Sequence, residues 1–107
     1  MSYEQNADHP EGRTIPTKAD VKVRSKSEAI IPNLLTDYEL PFRYEQVLNL
    51  SGFYMHPDFT ILHPRTHTLI IWEHLGMLDS DSYILSALKK YAAYLNAGYI
   101  PGKNLIL

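Results

Sequence analysis

The first run of hydrophobic positions recurs at helical spacing and predicts a helix from Ser25 or Ser27 to Tyr38. Either serine can accept a hydrogen bond from a free backbone N–H group at the start of this helix. Pro32 lies inside it and removes one backbone hydrogen bond, so we expect a kink near the second turn. The apolar stripe consists of Ile30, Ile31, Leu34, Leu35 and Tyr38.

A second helix is predicted by "SDSYILSALKKYAAYLNAG". One of Asp79, Ser80 and Asp81 can cap its start, and Gly98 is placed to end it. We expect its apolar stripe to face the core of the domain. The stripe consists of Ile84, Leu88, Tyr91 and Leu95.

Four strands are predicted by shorter alternating or continuous apolar runs. Three of them cover about 42–50, 57–62 and 68–74, and the fourth is "KNLIL" at the end of the sequence. The order is therefore helix, three strands, helix, strand. Three antiparallel strands followed by a helical crossover predict an α/β (α+β) fold, with helices packed on a mixed sheet.

Two acids occur at the ends of the second and third predicted strands, Asp58 and Glu73. In an antiparallel hairpin, the residue numbers of paired positions have a constant sum. If Leu62 pairs with Leu69, Asp58 therefore pairs with Glu73, and both side chains lie on one face of the sheet. A slip of one residue would place them on opposite faces.

The composition and the chain length of 107 residues predict a single domain without a thiolate metal site. Residues 1–20 are polar and predict a flexible tail, which leaves 21–107 as the folded domain. The sequence contains no cysteine, and no apolar run has the length of a membrane span. We therefore expect a cytoplasmic protein without a membrane partner. The formal net charge of −2 means that nucleic acid would have to be contacted by a local basic patch.

A divalent metal ion would remove the repulsion between two adjacent carboxylates. Mg²⁺ prefers oxygen ligands and is often held by one or two carboxylates with water and phosphate oxygens. Bound at Asp58 and Glu73, Mg²⁺ or Mn²⁺ could activate water for phosphodiester hydrolysis. Glu28, in the first turn of the first helix, is a possible third acid; the alternative is that it only completes a capping arrangement.

Five segments in order resemble the PD-(D/E)xK nuclease superfamily, which has a restriction-endonuclease-like αβββαβ core. They are "SKSE", "FRYEQVL", "PDFTI", "IIWEHLGM" and "ALKKYAAYLNAGYIPGKNLI". The likeness is greatest to prophage and bacterial domains with a helix glutamate and a "PDF…WEH" pair, and it covers about residues 22–107. The resemblance implies a Mg²⁺-dependent nuclease in which Glu28, Asp58 and Glu73 are the metal-binding acids.

One departure from the family pattern concerns a lysine two residues after the second acid. Leu75 occupies that position here. Some members of the superfamily supply the lysine from the following helix, and Lys89 or Lys90 could do so. We favour Lys90, because it shares a helical face with Tyr83, Ala87 and Tyr94. His74 is a further candidate, although strand alternation turns it away from Glu73.

The sequence thus predicts a nuclease that cleaves DNA. The alternative, which Leu75 favours, is a catalytically silent module of the same fold that binds nucleic acid or a partner protein. Lys22, Arg24 and Lys26 are candidate contacts to DNA phosphates, although a solvated run of charges is the other explanation. The last strand could be a sheet edge that pairs with a second copy of the chain in a homodimer.

Overall fold

The computed structural model describes residues 3–74 and 80–107 as two helices, a short 3-10 helix and eight strands. The helices are α1 (Lys26–Asp37) and α2 (Asp81–Asn96), and the 3-10 helix is Pro10–Gly12. No helix in the described ranges is both long enough and apolar enough to cross a membrane. The strands are β1 (Ile15–Pro16), β2 (Lys22–Val23), β3 (Phe42–Tyr44), β4 (Leu48–Leu50), β5 (Phe53–Met55), β6 (Phe59–Leu62), β7 (Leu69–Trp72) and β8 (Leu105–Ile106).

The central sheet has four strands in the order β3-β6-β7-β8. The pairs β3–β6 and β6–β7 are antiparallel, and β7–β8 is parallel. The helix α2 therefore lies in the crossover between the two parallel strands. This confirms the predicted α+β class and its mixed sheet, with α1, β3, β6, β7, α2 and β8 in the predicted order.

The prediction of one strand over about 42–50 was wrong. Glu45 has a φ of 52°, which turns the chain out of the sheet after β3. The chain then forms a separate antiparallel hairpin, in which β4 pairs with β5. Alternation alone cannot reveal such a break, because the residues on both sides of Glu45 continue the same pattern.

Helix α1 begins and ends close to the predicted positions. The Ser25 hydroxyl caps it by accepting a hydrogen bond from the backbone N–H of Glu28, at 3.2 Å. Pro32 lies inside the helix and is buried, and the helix continues past it. One face of α1 packs on the sheet. The main cluster of buried apolar residues consists of Val23, Ala29, Ile31, Leu35, Tyr44, Phe59 and Ile61.

The predicted inner stripe of α2 was wrong for its aliphatic members. Ile84, Leu88 and Leu95 are 36%, 59% and 53% exposed, whereas Tyr94 is fully buried against the sheet. The helix is therefore rotated so that its tyrosines face the sheet. The physical reason is that Glu73 lies buried on that sheet face. A leucine cannot hydrogen-bond a carboxylate, but a tyrosine covers apolar surface and also donates a hydrogen bond.

Residues 3–6, which belong to the segment 1–20 that we predicted to be a flexible tail, contact the sheet edge. The Tyr3 hydroxyl donates to the Tyr44 carbonyl and accepts from the Tyr44 N–H, both at 3.0 Å. Two backbone hydrogen bonds continue along the same edge, from Asn6 N to Glu45 O and from Val47 N to Glu4 O. Strand β1 pairs with β2. Polar contacts between distant segments leave no apolar period in the sequence, so the composition of this segment did not predict them.

Candidate active site

The register of the β6–β7 hairpin places Asp58 and Glu73 on one face of the sheet. Phe59 pairs with Trp72, and Leu62 pairs with Leu69. The next pair in this register, one residue further on each chain segment, is Asp58 and Glu73. This confirms the predicted register. The backbone N–H of His74 donates to Asp58 Oδ2 at 2.7 Å and joins the two strand ends.

Helix α2 supplies two donors to Glu73, which is only 3% exposed. Lys90 Nζ lies 3.0 Å from Glu73 Oε2, and the Tyr94 hydroxyl donates to Oε1 at 2.5 Å. Lys90 and Tyr94 are four residues apart, so they share one face of the helix. The favoured residue, Lys90, thus reaches the acid pair. Lys89 is exposed, and both lysines line a groove between α2 and the β4–β5 hairpin, but only Lys90 among the two contacts Glu73 in the described residues.

The charge of the acid pair is only partly compensated. Burial raises the pKa of Asp58 to about 7, and the negative charges of Glu73 and Glu28 act in the same direction. The His74 N–H and the Lys90 ammonium group oppose this rise but do not cancel it. Two carboxylates with one cation favour the uptake of a proton or of a second positive charge.

Glu28 lies at the start of α1 and is 8% exposed. It accepts hydrogen bonds from the Tyr44 hydroxyl at 3.1 Å and from Ser25 Oγ at 3.3 Å. Burial raises the pKa of Glu28. The negative charge of Glu28 in turn helps to raise the pKa of Asp58. Among residues 3–74 and 80–107, however, no three acidic, histidine or cysteine side chains converge on one possible metal position. The structure therefore brings Asp58 and Glu73 together and leaves Glu28 outside that pair.

His74 faces α1, as strand alternation predicted. Its Nε2 lies 3.1 Å from Ser27 Oγ, so its ring is turned away from Glu73. Leu75, where the family pattern has its lysine, lies outside the described residues. Of the residues proposed to replace that lysine, Lys90 is thus the one whose side chain contacts an acid of the pair among the described residues.

Tyr91 and Tyr94 are site residues whose roles the sequence analysis missed. The Tyr91 hydroxyl is buried and has no hydrogen-bond partner in the described part of the chain. Burial, followed by the charges of Glu73, Tyr83 and Asp58, raises the pKa of Tyr91, so its hydroxyl remains a proton donor beside the acids. The sequence does contain a sign of these roles. Tyr91 and Tyr94 follow Lys90 by one and four residues, a spacing that places all three side chains on one side of α2.

The predicted basic stretch contains two exposed lysines and an arginine that is engaged in polar contacts. Lys22 and Lys26 are exposed. The Arg24 guanidinium instead contacts Glu45, with Nε 2.7 Å from Oε2, and donates to the carbonyls of His9 and Asp8. These contacts hold the N-terminal segment to the core, which is the arrangement of a structural arginine.

The donor set of the acid pair suits a hard divalent cation. Asp58 and Glu73 offer carboxylate oxygens, the ligands that Mg²⁺ and Mn²⁺ prefer, and their negative charge is only partly compensated. Lys90 competes for one oxygen of Glu73 and would have to share it or move.

Comparisons with known proteins give one relative and no family. No family model matches the chain, and no solved structure matches it. An uncharacterized protein of Methanocaldococcus jannaschii is 36% identical over 73 residues. That alignment covers 68% of this chain but only 6% of the relative. The chain therefore matches only a small part of the length of that relative.

Proposed function

We propose that this protein is a metal-dependent nuclease that hydrolyses DNA phosphodiester bonds. The observation that carries the proposal is the pairing of Asp58 with Glu73 on one sheet face, with Lys90 Nζ 3.0 Å from Glu73. The resemblance to PD-(D/E)xK nucleases implied two acids at these positions and a cation near them. The geometry supports this proposal because a lysine from α2 reaches the second acid.

Each residue has a distinct role in the proposed reaction. Asp58 and Glu73 would hold Mg²⁺ or Mn²⁺, which when bound supplies Lewis-acid activation at phosphorus. Lys90 would orient the attacking water or stabilise the negative charge that develops on the phosphate. Tyr94 fixes the carboxylate of Glu73, and Glu28 adds negative charge near Asp58.

The test is cleavage of plasmid and branched DNA in Mg²⁺, Mn²⁺ or EDTA. We expect cleavage with either metal and none in EDTA, and a loss of about 100-fold or more in Asp58→Asn, since an electrostatic group of the site is removed. Lys90→Met should also lower the rate, while its matched control Lys89→Met should retain it. Equal cleavage by the wild type and Asp58→Asn would contradict the proposal.

A catalytically silent module of the same fold is the second candidate. Two observations favour it. Lys90 and Tyr94 each contact one oxygen of Glu73, so both oxygens are already engaged. No cluster of three metal-ligating side chains is present in the described residues. This candidate predicts that the protein shifts DNA in a gel without cleaving it in any metal. Binding of DNA would then depend on exposed cations such as Lys22 and Lys26.

Self-association through β8 is a separate proposal about partners. The strand β8 is at the edge of the sheet, and Ile106 and Leu107 are 38% and 50% exposed. Light scattering at several concentrations tests it: a homodimer that dissociates in Ile106→Lys would support pairing at this edge, and a monomer at all concentrations would exclude it.

A further inference from the structure

A pocket of about 390 Å³ lies at the opposite end of the sheet face that carries the acid pair. Arg43 pairs with Thr60, and Leu62 pairs with Leu69. Thr60 lies on β6, and Asp58 lies two residues before it, just ahead of the strand, so their side chains point to the same face at a spacing of roughly 7 Å. The pocket is lined chiefly by Tyr3, Arg43, Gln46, Thr60, Leu62 and Leu69.

Arg43 is a half-buried arginine that makes no hydrogen bond through its side chain to residues 3–74 or 80–107. Its guanidinium carbon lies 5.4 Å from the centre of the Tyr3 ring, a cation–π contact. This ring contact orients the guanidinium but satisfies none of its five N–H donors. An arginine without an acceptor at the wall of a pocket is suited to an oxyanion, which it can bind through two parallel hydrogen bonds.

The rest of the pocket is mostly apolar. Leu62 is 46% exposed although it lies on the sheet, so this surface is open to a ligand. The hydroxyl of Thr60 already donates to Gln46 Oε1 at 2.8 Å. A ligand that joins a phosphate to a flat, weakly polar ring would match both the cation and the apolar wall.

We infer that this pocket binds one unpaired nucleotide of the substrate, with its phosphate on Arg43 and its base against Leu62 and Leu69. The inference rests on the proposed nuclease function, because the pocket and the acid pair share one sheet face. It extends that function by assigning the substrate class: DNA with a single-stranded segment beside the bond that is cleaved. A base held in a duplex could not enter, since it would remain stacked and paired.

The test is a titration of the full chain with thymidylyl-(3′→5′)-thymidine in EDTA. Binding is measured from the changes in the NMR chemical shifts of the backbone amides of Thr60, Leu62 and Leu69. Thymidine and inorganic phosphate serve as separate probes. We expect the dinucleotide to bind more tightly than either probe and Arg43→Gln to weaken its binding about tenfold or more. The matched control is Arg65→Gln, which changes an exposed arginine in the turn between β6 and β7 and should bind as the wild type does.

Three results would overturn the inference. They are unchanged amide shifts at the pocket, equal affinity for inorganic phosphate and the dinucleotide, and equal affinity of the wild type and Arg43→Gln. A melting curve for Arg43→Gln separates lost binding from lost folding. The EDTA titration is independent of cleavage: dinucleotide binding without nuclease activity would retain the pocket and reject the proposed function. If Arg43→Gln instead cleaves DNA with the same KM as the wild type, the proposed function is retained and the pocket is rejected.

Discussion

Glu45 and Glu73 are both buried glutamates, but the protein compensates their charges to different degrees. Glu45 contacts two arginines, with Arg13 Nη2 at 2.8 Å and Arg24 Nε at 2.7 Å. Glu73 contacts one lysine and lies beside a second acid, Asp58. Burial alone would raise the pKa of Glu45, but hydrogen bonds from Arg24 and Arg13 outweigh it and lower that pKa. The pKa of Asp58 is instead raised.

This difference separates a structural carboxylate from a candidate catalytic one. Burial is common to both clusters, so burial by itself does not identify a functional site. An unbalanced charge does so better, because folding alone would favour its neutralisation or replacement by apolar groups. Glu45 joins the N-terminal segment to the core, whereas Asp58 and Glu73 retain a negative charge that a ligand can use.

The largest effect on stability is expected at the compensated cluster. Glu45→Ala leaves Arg13 and Arg24 without their common acceptor, so it should lower the free energy of unfolding by about 3–5 kcal/mol. The matched control is Asp37→Ala, which breaks the exposed ion pair with Lys18 and should cost at most about 1 kcal/mol. Urea unfolding measures both. Equal, small losses would mean that the two clusters do not differ as described.

An effect of opposite sign is expected at the acid pair. Because the pKa of Asp58 is raised in the folded protein, its contribution to stability is complete below the unfolded pKa of about 3.9 and is lost as pH rises through about 7. Asp58→Asn should therefore stabilise the metal-free protein at pH 8, on the order of 2 kcal/mol, and leave stability at pH 5 less changed.

Thermal unfolding in EDTA at pH 5 and pH 8 measures this change for the wild type and the variant. The variant should also lose most of the increase in melting temperature that Mg²⁺ gives the wild type, because a ligand stabilises only through the state that binds it. A variant that is less stable than the wild type at pH 8 would show that the charge of the pair is already balanced.

The smallest effect of a single substitution is expected at Tyr91, and Tyr94, three residues further along α2, serves as its comparison. Tyr91→Phe removes a buried hydroxyl without a partner in the described residues, so stability should stay unchanged or rise by up to about 1 kcal/mol. Tyr94→Phe removes the hydrogen bond to Glu73 and should cost about 1.5–3 kcal/mol. Urea unfolding of both variants tests the contrast, and a large loss in Tyr91→Phe would reveal a partner for its hydroxyl.

Local patterns predicted the parts of the fold that depend on neighbouring residues. Apolar alternation and a short turn determine the register of β6 and β7, so the pairing of Asp58 with Glu73 was predictable. Helical spacing also favoured Lys90 over Lys89. Both inferences use positions a few residues apart, or two strands joined by one turn.

The remaining features depend on contacts between distant segments. Glu45 is 32 residues from Arg13, and neither the pattern around one nor that around the other indicates the pair. The rotation of α2 was also hidden, because its leucines form a regular stripe. A buried carboxylate needs hydrogen-bond donors, and this requirement favours tyrosines over leucines on the inner face. Hydrophobic periodicity gives no information about this requirement for hydrogen-bond donors.

The hydroxyl of Tyr3 has a practical consequence for work with shortened forms of this protein. It occupies the N–H and carbonyl of Tyr44 on the outer strand of the sheet. Removal of the first six residues would leave those groups open to the matching edge of another molecule, and such strands tend to aggregate. A shortened protein could therefore assemble through β3 and be mistaken for a natural dimer. Tyr3→Phe in the 107-residue chain would reveal this hazard as concentration-dependent light scattering.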